Sequence, residues 1–92
     1  MIVSFEHKGL ERFYKTGSKS GIQPAHAPNL NLVLSLLDIA KSADDMNVPG
    51  FGLHSLKGDL RGYFSVKVSG NWRLIFKPSG ENMELVNYLD YH

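Results

Sequence analysis

The apolar residues of this 92-residue chain change their spacing once, at Gly50, and that change restricts the fold more than any other feature. Before it, Leu30, Val33, Leu34, Leu37 and Ala40 recur every three or four residues, Lys41 continues the stripe, and Asp38 and Ser42 fall off it. This spacing predicts a helix whose start Asn29 can cap. Leu10, Phe13 and Tyr14 repeat the pattern over Lys8 to Gly17, a shorter helix stopped by the glycine. Ser18 to Pro28 reads as a loop, and Asn47-Val48-Pro49-Gly50 breaks the chain.

Beyond Gly50 the spacing is two. Phe64, Val66 and Val68 alternate with Tyr63, Ser65 and Lys67, and Trp72, Leu74 and Phe76 alternate with Arg73, Ile75 and Lys77. Ser69-Gly70-Asn71 and Pro78-Ser79-Gly80 are turn sequences, and Met83 to His92 is a last strand. Three strands in series joined by short turns make an antiparallel meander, to which Ile2, Val3 and Phe5 can add a strand. Helices with one apolar face need a surface to cover, and one face of the meander offers it. The expected class is α+β, two N-terminal helices packed on one face of a mainly antiparallel sheet.

At this length one core is expected, with residues 1–92 forming one domain. Apolar residues make up 42% of the chain, enough for that core, and there is no cysteine, so neither disulfides nor a thiolate metal site can support it. No apolar run approaches a membrane span and the first residues lack the pattern of a secretion signal, so a soluble cytoplasmic protein without membrane partners is expected.

Alternation sorts the strand residues. With Phe64, Val66, Val68, Trp72, Leu74, Phe76, Leu85 and Leu89 toward the helices, the other face carries Tyr63, Lys67, Arg73, Lys77, Tyr88, Asp90 and His92. Asn87 points inward under this register and fits it poorly. The charge agrees with an outward basic face. Residues 51–80 hold Lys57, Arg61, Lys67, Arg73 and Lys77 against Asp59 alone, in a chain whose net charge is only +1. Cations interleaved with aromatics suit phosphates and stacked bases, although a solvated surface has a similar composition.

Leu53-His54-Ser55-Leu56-Lys57-Gly58-Asp59, Gly62-Tyr63-Phe64-Ser65-Val66, Asn71-Trp72-Arg73-Leu74-Ile75-Phe76 and the closing Asp90-Tyr91-His92 resemble the HigB toxins of the RelE/ParE superfamily, from bacterial type II toxin–antitoxin systems. Ser4-Phe5 and His7-Lys8-Gly9-Leu10 are similar to that family too, and the resemblance is weakest from Thr16 to Asn47. It implies a RelE-like fold and a ribosome-dependent endonuclease that cleaves mRNA in the A site without a metal or cofactor and so arrests translation and growth. It also implies neutralisation by a HigA-like helix-turn-helix antitoxin, with operator DNA met only through the complex. Carried over, the catalytic positions are His54, Lys57, Arg73, Asp90, Tyr91 and His92. Relatives often place an arginine where this chain has Leu60, beside Arg61.

Metal-free RNA cleavage uses the 2′-OH as nucleophile. A base takes its proton, an acid protonates the 5′-oxygen, and cations hold the phosphoryl charge. His54 and His92 have the titration range for base and acid. Arg73, between apolar neighbours, faces outward and suits bidentate phosphate contact, or pairs with Asp90. Lys57 adds a point charge from a loop. Tyr91 falls on the opposite face by strict alternation, where core packing competes with a role in the site. Arg61, Tyr63, Lys67 and Lys77 read as RNA-backbone and base contacts, and His7 and His26 as surface residues. A metal held by His54, Asp90 and His92 is rejected for want of close ligand spacing. Two further readings remain: a ParE-like toxin that binds DNA gyrase, and a non-catalytic antitoxin-binding module.

Overall fold

A computed structural model describes residues 1–90. Two helices, α1 (Lys8–Thr16) and α2 (Ala27–Ile39), precede four strands, β1 (His54–Ser55), β2 (Phe64–Ser69), β3 (Trp72–Ser79) and β4 (Asn82–Asp90). The sheet is antiparallel, in the order β1-β2-β3-β4. Short 3₁₀ turns at Pro24–His26, Ala43–Met46 and Gly58–Leu60 shape the connections.

Each helix forms where its apolar spacing placed it. α1 buries Leu10 and Phe13 and ends at Gly17, whose φ of 79° is the left-handed conformation that glycine adopts most easily. α2 buries Leu30, Val33, Leu34 and Leu37. It starts two residues before Asn29, because Pro28 stands in its first turn, where a missing N–H breaks no helical bond. Asn29 instead donates its side-chain amide to the Val68 carbonyl at 2.8 Å, fastening α2 to β2. Leu10, Phe13 and the α2 residues share one cluster with Val66, Val68, Leu74, Phe76, Val86 and Tyr88 of the sheet.

The strands correct the expected register at β4. The alternation of β2 and β3 holds, with Phe64 opposite Phe76, Val66 opposite Leu74 and Lys67 opposite Arg73. Between β3 and β4 the register shifts after Ile75, and Leu85 takes a φ of 54°. This is a β-bulge, and it reverses the facing of everything after it. Val86 and Tyr88 are buried in the core, whereas Leu89, opposite Arg73, is half-buried. Tyr88 is therefore not on the outward face, and Leu85 and Leu89 do not line the core. Asn87, misplaced by simple alternation, sits opposite Ile75 on the non-helical face. Asp90 falls opposite Trp72, in the register of Leu74 and Tyr88, not in that of Arg73.

The N-terminal segment explains how the bulge is tolerated. It runs parallel to the outer edge of β4, with Ile2 bridging Met83 and Phe5 bridging Val86. The Leu85 N–H donates to Ser4 Oγ at 2.9 Å, so the group freed by the bulge keeps a partner. Pro78, expected in a turn, lies inside β3. It extends past Phe76, the last β3 residue paired with β2, where a proline costs that side of the ladder nothing.

Candidate active-site cleft

The non-helical face of the sheet has its own small apolar base. Ile75 is 3% exposed and Leu56 9%, and neither belongs to the main core. Leu56 is brought over the sheet by the turn that follows β1. There the Leu56 N–H donates to the Tyr63 carbonyl, and Arg61 and Tyr63 bond back to Gly58 and Leu60. Gly58, with φ 68°, permits that reversal. The segment 52–57 thus stands beside β2 and encloses a cleft of about 510 Å³.

His54, Lys57, Lys67 and Arg73 all line this cleft, with Ser65 and Leu56 completing its wall. The register accounts for the gathering. His54 pairs with Ser65, and two residues along β2 on the same face Lys67 pairs directly with Arg73. Lys57 follows from the start of the turn, at the N-cap of Gly58–Leu60. His54 and Lys57 are exposed, and Arg73 is half-buried.

Two cations directly across an antiparallel pair repel each other. Here no carboxylate lines the cleft among the described residues. Arg73 is fixed from the other side, Nη1 donating to the Gly70 carbonyl at 3.0 Å and to the Trp72 carbonyl at 3.3 Å. One edge of the guanidinium is thereby tied to the β2–β3 turn. Lys67 is set by its stem, which packs against Gly52 so closely that a Cβ there would lie 3.3 Å from the lysine Cε. An anion between the two side chains would relieve the repulsion that their placement creates.

Other residues expected in the site lie elsewhere. Lys77 sits farther along β3, opposite Glu84, with its ammonium 5.8 Å from the Tyr63 ring, and Tyr63 donates to Glu6 at 3.4 Å. Arg61 is exposed at the end of the 3₁₀ turn. None of these three lines the cleft. Asp90 ends β4, and Tyr91 and His92 lie outside the described residues. The pairing of Lys67 with Arg73 was missed from sequence. The two-residue Gly70-Asn71 connection, with Ser69 opposite Trp72, would by itself place Lys67 opposite Leu74. A register shift between Lys67 and Ser69 brings Arg73 opposite it instead, and no sequence signal marks that shift.

His7 and His26, expected at the surface, are half-buried and engaged. His7 caps α1, its Nδ1 accepting from the Leu10 N–H at 2.9 Å, and burial lowers its pKa below the usual value. His26 Nδ1 shares a hydrogen bond with the Tyr88 hydroxyl, and Tyr88 stacks on Trp72 with ring centroids 4.6 Å apart. Burial raises the Tyr88 pKa above that of an ordinary phenol. Among the described residues no three His, Asp or Glu side chains are grouped as metal ligands, and no helix is long and apolar enough to cross a membrane.

Residues 3–92 match a family described as RelE-like toxin of type II toxin–antitoxin system HigB. The chain belongs to the HigB-like toxins. It is 38% identical over 92 residues to an Endoribonuclease HigB of Proteus vulgaris, covering 100% of both chains. It is 34% identical over 94 residues to Toxin HigB-1 of Vibrio cholerae, covering 100% of this chain and 98% of that one. The HigB-like fold has solved counterparts at low sequence identity. A YoeB/ParE toxin from Agrobacterium tumefaciens superposes with a TM-score of 0.58 at 18% identity, covering 99% of this chain and 96% of that one. A YafQ variant from E. coli gives 0.56 at 20% identity, covering 94% and 89%. Membership in a type II system implies an antitoxin partner for this HigB-like chain.

Proposed function

We propose that this protein is an endoribonuclease toxin that cuts mRNA in the ribosomal A site, by attack of the substrate's 2′-OH without a metal or cofactor. The observation that carries the reading is the Lys67–Arg73 pair, two cations opposite each other on adjacent strands that line one cleft with His54 and Lys57. A phosphodiester bound there brings its negative oxygens between the cations. The guanidinium offers the fixed donor geometry that stabilises charge developing on phosphorus. His54 stands at the same cleft as an exposed imidazole able to move a proton, and Lys57 adds charge to the leaving side.

In this reading Tyr91 and His92 complete the machinery, with His92 as the partner of His54 in acid–base transfer, and Asp90, in the register of Tyr88 and not of Arg73, is left out of it. Arg61, Tyr63 and Lys77 contact RNA outside the cleft. The whole of residues 1–92 acts as one toxin domain in the cytoplasm, its two helices bracing the sheet face opposite the cleft. A HigA-like helix-turn-helix antitoxin neutralises it and carries the complex to operator DNA. The test is primer-extension mapping of mRNA on programmed ribosomes in the presence of EDTA. Discrete A-site breaks that disappear with Arg73→Ala are expected. Intact mRNA, or breaks that EDTA abolishes, would overturn the reading.

A further inference from the structure

A second depression adjoins the cleft. It holds about 300 Å³ between α2 and the β2–β3 turn, at the small end of the range for ligand pockets. Leu32, Pro49 and Phe51 give it an apolar lining, with Asn29 and the turn residue Gly70 among its polar boundary. Two features join it to the cleft. Lys67 lines both, its stem forming the ridge between them. Gly70 lines the depression while its carbonyl holds Arg73 on the other side.

We infer that this depression is a subsite for the nucleobase adjacent to the phosphate held by Lys67 and Arg73, in the same RNA strand; the inference rests on the nuclease reading. A nucleotide is an anion joined through a sugar to a flat ring, and the surface repeats that order: cations, then a methylene ridge, then an apolar hollow. Base rings gain from apolar and stacking contacts, and differences in stacking strength between bases give such a contact a modest base preference. The hollow is too small for a helix or strand of a protein partner, and its border with Lys67 favours the polyanion. Leu32 fits this role, because it stands 52% exposed on α2 at the hollow and outside the helix's core-facing stripe.

The test is steady-state cleavage of a defined mRNA on programmed ribosomes by Leu32→Ala and Leu32→Glu, with thermal melts as a control on folding. The exposed position permits both variants to fold. Leu32→Glu, which puts a negative charge beside the strand, is expected to raise KM about tenfold with kcat held within about twofold, and Leu32→Ala to raise it less. A shifted base preference next to the cut is expected with both. Wild-type KM and base preference in both variants would overturn the subsite while leaving the nuclease reading intact. So would normal cleavage combined with lost antitoxin binding, which would give the hollow to a protein partner. A wild-type protein that cuts nothing overturns both.

Discussion

Arg73 is positioned by its own backbone neighbourhood, since the carbonyls of Gly70 and Trp72 hold one nitrogen and the turn holds the carbonyls. A preorganised donor of this kind contributes to rate more than to binding. Arg73→Ala is therefore expected to slow ribosome-bound cleavage by about 10²–10³-fold. Its melting temperature should stay level or rise, because Lys67 loses a like-charged neighbour. Initial rates and a thermal melt on the same preparation check both. Arg73 was legible as an outward cation because apolar Trp72 and Leu74 flank it. The part of Lys67 was not, since a lysine on a strand has the same local pattern whether it faces bulk water or another cation. Only the hairpin register distinguishes the two.

At the level of elements, the helices could be read from spacing and β4 could not. Its bulge leaves a trace in the sequence, because Met83, Val86 and Tyr88 are separated by three and then two, and a strand that buries all three must carry one extra residue. Strict alternation instead selects Leu85 and Leu89 and turns the strand over. Leu85 holds a φ of 54°, where a branched side chain is strained. Leu85→Gly is expected to leave stability level or raise it by up to about 1 kcal/mol. Deleting Leu85 removes the extra residue, so Val86 and Tyr88 keep facing the core by plain alternation and the variant is expected to fold. Urea denaturation measures both variants.

The cap of α1 makes a second prediction at this scale. Burial lowers the pKa of His7, so the folded state binds its proton less readily than the unfolded state does. The stability that this contributes is complete above the unfolded pKa of about 6.5 and is lost as the pH falls below it toward the folded value. Protonation of Nδ1 also removes the acceptor for the Leu10 N–H. His7→Asn keeps a cap and should flatten that part of the pH–stability profile, and His7→Ala should cost about 1 kcal/mol at neutral pH. The role was hidden in the sequence because histidine is an uncommon cap, and the usual cap residues are absent just before Lys8.

Across the whole molecule, one contact without side chains ties the loop after α1 to the helix. Gly9 and Gly21 meet backbone to backbone, and a Cβ on either would collide with main-chain atoms of the other. Neither Gly9 nor Gly21 has a positive φ, so the constraint is space alone. Gly9→Ala and Gly21→Ala are each expected to destabilise the protein by about 1–3 kcal/mol, measured by thermal or urea unfolding, even though each adds one methyl group. Sequence reading assigned these glycines to a helix start and a loop. It had no means of joining them, because their approach depends on the packing of Leu10 and Ile22 into the shared core. The general class, α+β with a basic outer face, was legible because period and charge are properties of single segments.

The repulsion between Lys67 and Arg73 bears on discrimination. Any anion of suitable reach would offset it, and a phosphodiester of RNA, a phosphodiester of DNA or a bare sulfate would discharge that tension about equally well. Such a receptor distinguishes charge from no charge and little more. Fidelity for one strand and one bond must then come from presentation: whatever delivers the nucleic acid to the cleft determines which linkage is exposed to it.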